Sequence, residues 1–262
     1  MAMGQNPIMS RALVILVALV AIGYLALCVA LFVFQRSHIY YPQPRSLAGG
    51  ATTITLPIEE GQVLVTTRAH QGPNAVVYFG GNAEDVSSSL PDLATAFPEH
   101  ALFLLHYRGY GGSSGKPTEA ALIADALALF DKVHAGHQKV VLVGRSLGSG
   151  IAVHVASLRP VARLVLVTPY DSLQELAARQ FPYLPVRWLL QDKFESWRYA
   201  PQVSAPTLVI AAEYDEVIPR DSTEALYARF RSGVASFKIV AGTGHNTISE
   251  SPQYLALLKG VP

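Results

Sequence analysis

Cysteine is almost missing from this chain. Cys28 is the only one among 262 residues, which excludes an internal disulfide framework and a cysteine-ligated metal centre but leaves the compartment open. Charge is scarce as well. Asp, Glu, Lys and Arg make up 15% of the residues and balance to a formal +1, so the chain lacks the basic field that nucleic-acid binders carry, and nucleic acid is not an expected partner. There is also no Pro/Ser/Gly-rich linker, internal repeat or low-complexity segment. At this length the expectation is one large core in one folded domain, plus any appended segment.

What the chain does have in excess is apolar sequence in one place. Residues 12–34, "ALVILVALVAIGYLALCVALFVF", run for 23 positions without a charge. At about 1.5 Å per residue such a helix crosses a ~30 Å hydrocarbon layer with some tilt. A cleaved signal peptide has a shorter apolar region, ~7–15 residues, ending at small residues. "LALC" glances at a lipoprotein cleavage site, but Leu27 is bulky where a small residue is wanted and the apolar run continues past Cys28. An uncleaved anchor is therefore expected, dividing the chain into a tail and transmembrane segment at 1–36 and a folded domain at 37–262. This gives a single-pass membrane location, in a bacterial inner membrane or an equivalent bilayer. Arg11 on one flank against Arg36 and Arg45 on the other leaves the side undecided. "HIYYPQP", residues 38–44, follows the span, and its tyrosines suit either a bilayer boundary or the first packed residues of the domain.

Beyond residue 50, short β-branched and aliphatic runs alternate with helical patterns. "TTITLP" and "QVLVTT" are separated by a Glu-Glu-Gly turn and read as an antiparallel pair. "AVVYFGG", "ALFLLHY", "KVVLVG", "ARLVLVT", "PTLVIAA" and "SFKIVAG" are near-continuous apolar runs with helix-length intervals, the pattern of parallel strands buried on both faces. One such interval, 119–133, places Leu122, Ala126, Leu129 and Val133 on one stripe. The fold class is α/β, a mostly parallel eight-stranded sheet flanked by helices. In an open parallel sheet ligands bind beyond the carboxyl ends of the strands, so those loops are where chemistry is sought.

The fifth strand ends in "GRSLGSG". A strand, then G-x-S-x-G, then a helix is the nucleophile-elbow pattern, in which Ser146 occupies a strained turn and Gly144 and Gly148 leave room for the chain to double back. The Leu147 amide, at the helix start, points where an oxyanion would form. On its own the pattern also fits an ordinary glycine-containing turn. A serine hydroxyl is a poor nucleophile without a base and a carboxylate to orient that base. The chain order serine, acid, histidine is met by Asp215 after the seventh strand and His245 after the eighth. Apart from His154 in the elbow's own helix, His245 is the only histidine of the eight that follows the elbow. Asp171, after the sixth strand, is a rival acid; Glu213 and Glu216 read as a solvated rim. The second oxyanion donor is expected in "FGGNAED" after the third strand, as the backbone amide of Asn82, whose side chain could also cap the next helix.

Two other motifs carry less. "RGYGGSSG", 108–115, fails dinucleotide spacing because the third required glycine falls on Ser114, and it reads as a structural loop. "HAGH", His134 to His137, is too short and too isolated for a metal site. No metal or organic cofactor is expected.

With these motifs assembled, the chain resembles the α/β-hydrolase superfamily, and within it the membrane-anchored group that includes palmitoyl-protein thioesterases and lysophospholipid or monoacylglycerol lipases. The carriers are "QRSHIYYP", "YFGGNAED", "HYRGYGGSSGKPTE", "VGRSLGSG", "APTLVIAAEYDEVIP" and "GTGHNTI", covering nearly all of the chain after the anchor. The resemblance implies a catalytic triad of Ser146, Asp215 and His245. It departs from the family pattern at Gly80-Gly81, where His-Gly is usual, and at His106, where an aspartate commonly opens the "YRGYG" motif. The family often inserts a cap after the sixth strand; here residues 172–205 allow only a helical flap, with "FPYLPVRWLL" able to line an acyl pocket, touch lipid or pack on the core. The implied activity is hydrolysis of carboxylic ester or thioester bonds in small or lipid-like acyl substrates. Alternatives are an aminopeptidase or amidase using the same triad, and a non-catalytic membrane scaffold that keeps the fold.

Overall fold

The apolar runs pair as their composition dictates. The computed structural model describes residues 7–46, 52–59 and 61–260; the first six residues of the expected tail and Glu60 of the expected turn lie outside them. β1 (Thr52–Ile58) and β2 (Gly61–Arg68) form an antiparallel hairpin, with Ile54 opposite Val65. β3 (Asn74–Phe79), β4 (Ala101–Leu105), β5 (Lys139–Arg145), β6 (Arg163–Val167), β7 (Thr207–Ala212) and β8 (Ala235–Val240) are mutually parallel. The eight strands lie in the order β1-β2-β4-β3-β5-β6-β7-β8, with β2 also antiparallel to β4. A parallel sheet must be covered on both faces, and β3 to β7 are; β8, expected to be buried as well, lies at the sheet edge and buries only Val240. On one side Val77, Phe79 and Leu142 join Leu122, Leu129 and Ile151; on the other Val76, Tyr78, Val141 and Val143 join Leu93, Phe97 and Leu258.

The covering helices follow the strands. α1 (Pro7–Ile39) precedes the sheet, and α2 (Leu90–Ala96), α3 (Glu119–His134) and α4 (Leu147–Leu158) follow β3, β4 and β5. α3 buries the expected stripe of Leu122, Ala126, Leu129 and Val133, and the Thr118 hydroxyl accepts from the Ala121 amide to cap its first turn. The interval after β6 holds α5 (Leu173–Gln180), α6 (Val186–Leu189) and α7 (Ser196–Tyr199), a helical flap without a separate core. α8 (Arg220–Tyr227) and α9 (Pro252–Lys259) complete the layers. Between Arg11 and Ile39, α1 is long and apolar enough to cross a membrane, and it runs on through the boundary expected at 36/37 as one continuous helix.

Candidate active site

β5 delivers Ser146 to the carboxyl edge of the sheet and α4 leads away from it. Ser146 adopts φ 49° and ψ −117°, a conformation that L-residues rarely hold, and its amide is fixed by the Val167 carbonyl of β6 at 2.9 Å. The flanking glycines are sterically required. A Cβ on Gly148 would lie 2.0 Å from the Phe79 carbonyl oxygen, and one on Gly144 would lie 2.5 Å from the Gly148 carbonyl oxygen. The strained turn thus survives because β3, β5 and α4 meet there without side chains between them.

His245 comes from the loop after β8, and its Nε2 stands 2.9 Å from Ser146 Oγ. Its Nδ1 is 3.0 Å from both oxygens of Asp215, in the loop after β7. A carboxylate only accepts hydrogen bonds, so Nδ1 carries the imidazole proton and the bare Nε2 faces the serine hydroxyl. Asp215 is oriented in turn by the Val217 and Ile218 amides, which donate to its Oδ1 at 3.0 and 2.7 Å. The side chains of His245 and Asp215 are 7% and 4% exposed, so bulk water does not compete for their contact. The other acid goes elsewhere. Asp171 Oδ1 accepts from Ser222 Oγ at 2.6 Å and from the Ser172 amide at 2.8 Å, and His245 is not among its partners.

The two expected oxyanion amides belong to the residue that follows this serine and to the loop after β3. Leu147 heads α4 directly after Ser146. Across the cleft the loop after β3 passes so close that a Cβ on Gly81 would stand 3.6 Å from the Ser146 Cβ. In that loop the Gly81 amide is engaged by Glu84 Oε2 at 2.6 Å, and Asn82 follows it in the chain. Among the described residues no hydrogen bond takes up the Leu147 or the Asn82 amide. Asn82 does not serve as the helix cap the sequence offered. Its Oδ1 accepts from Tyr110 Oη at 2.8 Å and from the Tyr41 amide at 3.1 Å, and its Nδ2 donates to the Ile39 carbonyl at the end of α1. The Asp85 side chain is the cap instead, accepting from the Ser87 amide.

Several supporting residues were not visible in the sequence. Glu84 is held by Tyr78 Oη at 2.8 Å and Ser89 Oγ at 2.7 Å while it grips Gly81; nothing in "FGGNAED" tells which acidic residue turns back on the loop. Glu216, expected on a solvated rim, accepts from the His245 amide at 3.0 Å, and that bond draws its carboxyl below the usual range. Glu213 likewise accepts from the Gly242 amide at 2.7 Å. Both brace the histidine loop through its backbone, which leaves no residue signature. His106, the departure in the tyrosine-rich loop, is buried with its Nε2 2.8 Å from Thr66 Oγ1, and burial drives its pKa down to about 4. The rest of that loop is structural: Arg108 forms a bidentate pair with Asp125 at 2.8 Å, and Gly109 donates to the Ser113 carbonyl. Of the "HAGH" pair, His134 stacks on Phe130 and His137 Nδ1 meets the Gly72 carbonyl.

Known proteins resemble this chain in sequence and in fold. The profile of the alpha/beta hydrolase fold matches residues 74–196. An uncharacterized protein of Mycobacterium tuberculosis, Rv2307c, is 36% identical over 254 residues, covering 89% of this chain and 87% of its own. Among solved structures, the Pyrococcus furiosus esterase Pf2001 superposes with a TM-score of 0.66 at 14% identity, covering 84% of this chain and 95% of its own. A monoacylglycerol lipase of Paleococcus ferrophilus superposes with a TM-score of 0.59 at 16% identity, covering 75% and 97%. At such identities the structural likeness speaks for the fold alone. Strand order, the turn at Ser146 and these matches lead to one conclusion: the chain belongs to the α/β-hydrolase superfamily.

Proposed function

We propose that this protein is a serine hydrolase of carboxylic ester or thioester bonds, anchored in a membrane by α1, with the tail and anchor preceding a catalytic domain that begins near residue 37. The observation that carries the reading is the unbroken line from Ser146 Oγ to His245 Nε2 at 2.9 Å and from His245 Nδ1 to Asp215 at 3.0 Å. In this mechanism His245 takes the proton of Ser146 as its oxygen attacks the acyl carbonyl. Asp215 holds the imidazole in the required tautomer and stabilises the imidazolium that forms. The Leu147 and Asn82 amides donate to the tetrahedral oxyanion. His245 then protonates the leaving alcohol or thiol, and water, deprotonated by the same imidazole, releases the acid and restores Ser146.

The membrane part of the reading is supported by the length and apolarity of the helix between Arg11 and Ile39, and the choice of an acyl ester by the neighbouring folds described above. The test uses the full chain in detergent micelles. A fluorophosphonate should label the protein, and Ser146→Ala should abolish both labelling and hydrolysis of acyl esters. Labelling that persists in Ser146→Ala, or wild-type protein that neither labels nor hydrolyses, overturns the assignment.

A further inference from the structure

α1 does not stand clear of the body. Tyr24 Oη donates to the Tyr183 carbonyl at 2.9 Å, and Gln35 Nε2 donates to the Leu189 carbonyl at 3.1 Å. The Gln191 amide donates to Gln35 Oε1 at 2.7 Å, and Arg36 Nε meets Asp192 Oδ2 at 3.0 Å. Flap residues 183–192 are therefore fastened alongside the second half of the helix. The helical rise then sets their heights: from Arg36 back to Tyr24 is about 18 Å.

A bilayer crossing turns those heights into depths. Between the charge at Arg11 and the level of Tyr24 lie only residues 12–23, about 18 Å of helix against a hydrocarbon layer of ~30 Å. If the flap stayed in water, α1 would be too short to span. Counted inward from Ala12, the ~20 residues that a crossing needs end near Leu31, so Tyr24 sits on the order of 10 Å inside the hydrocarbon. Whatever is bonded to Tyr24 sits there too. We propose that the flap tip, residues 181–188, is embedded among the lipid acyl chains of the leaflet next to the catalytic domain. This inference rests on the reading of α1 as a membrane span.

The tip is built for that solvent. Phe181, Tyr183 and Trp188 are exposed, the last two at 89%. Backbone N–H groups in hydrocarbon must be paired; of the six in residues 181–188 four are, with Phe181 donating to Ala177, Leu184 to Phe181, Val186 to Leu184 and Trp188 to Pro185, while Pro182 and Pro185 have no N–H to satisfy. The charged residue of the stretch, Arg187, is neutralised by Glu175 at 2.7 Å. Pro182, Leu184, Val186 and Trp188, with Arg187, line an open groove of about 560 Å³. The far end of α1 reaches the catalytic rim, since the Ile39 carbonyl is held by Asn82. Tyr41, Tyr214 and Val217 add exposed apolar surface around that rim. The substrate class that fits is an ester or thioester already resident in the bilayer, entering from the leaflet and not from water.

The two tryptophans allow a direct test. In the full chain carrying Trp197→Phe, Trp188 is the only one left. After reconstitution in phosphatidylcholine vesicles brominated midway along the acyl chains, Trp188 should lose most of its emission, and aqueous iodide should leave it unchanged. A companion chain, Leu16→Trp with Trp188→Phe and Trp197→Phe, reports on the span alone. Lipid quenching of the tryptophan at position 16 together with iodide quenching of Trp188 overturns the flap proposal and leaves the anchor standing. Iodide quenching at both positions overturns the anchor and the flap together. Trp188 protected from both quenchers also overturns the proposal, because protein and not lipid would then cover it.

Discussion

At the scale of single residues, the site depends on atoms that leave little freedom for substitution. Asp215→Asn keeps the volume, but an amide nitrogen facing His245 Nδ1 would favour the tautomer with the proton on Nε2, where it cannot accept from Ser146. Turnover should fall by about 10⁴-fold with little change in KM, measured on a short-chain ester. Gly148→Ala brings a methyl within 2.0 Å of the Phe79 carbonyl oxygen, and its cost should reach or exceed the ~3 kcal/mol upper end of ordinary overpacking, read as a lowered melting temperature with loss of activity. His106 links stability to pH. Its folded pKa of about 4 lies below the ~6.5 of an unfolded histidine. The unfolded chain thus binds the extra proton first, and stability is full above about pH 6.5 and falls as pH drops toward 4. The span corresponds to at most about 3 kcal/mol, and melting temperatures measured across that window should lose most of this slope in His106→Gln. That Ser146, Asp215 and His245 meet was foreseeable because the proposed chemistry calls for those residue types in that chain order. Glu84, Glu213 and Glu216 were not, because each acts on a backbone amide and any acidic residue nearby in the sequence looks the same.

At the scale of elements, the strands, the long helices and the presence of a short helical flap were legible; the flap's inner helices and its fastening to α1 were not. The near-continuous apolar runs became β3 to β8, and the stripe on α3 was buried at each of the four positions expected. α6 and α7 have four residues each, too short for a helical period to register, and three of the flap's four bonds to α1 run through backbone groups of Tyr183, Leu189 and Gln191, which any residue but proline could present. The end of α1 carries a further consequence, since Asn82 clasps the Ile39 carbonyl and the Tyr41 amide. Removing residues 1–23 leaves these contacts in place and should preserve turnover of a soluble short-chain ester in micelles. Removing residues 1–46 releases the Asn82 loop and should lower kcat by ~10²–10³, the usual effect of losing one oxyanion donor. Equal activity in the two truncated chains would show that the clasp does not position the loop.

At the scale of the whole molecule, attachment to the bilayer should not depend on charge. A formal +1 over 262 residues gives little electrostatic adhesion to anionic lipid, whereas an apolar helix this long partitions into hydrocarbon outright. The full chain should therefore remain in the membrane fraction through high salt and alkaline carbonate and leave only with detergent; release by salt would point to a peripheral protein. The clasp between Asn82 and the last turn of α1 also denies the catalytic body a hinge on which to lift away from its support. An enzyme so moored would forage in two dimensions. Its velocity would follow the mole fraction of ester within its own patch of lipid, and it would be blind to the same ester carried in a neighbouring vesicle.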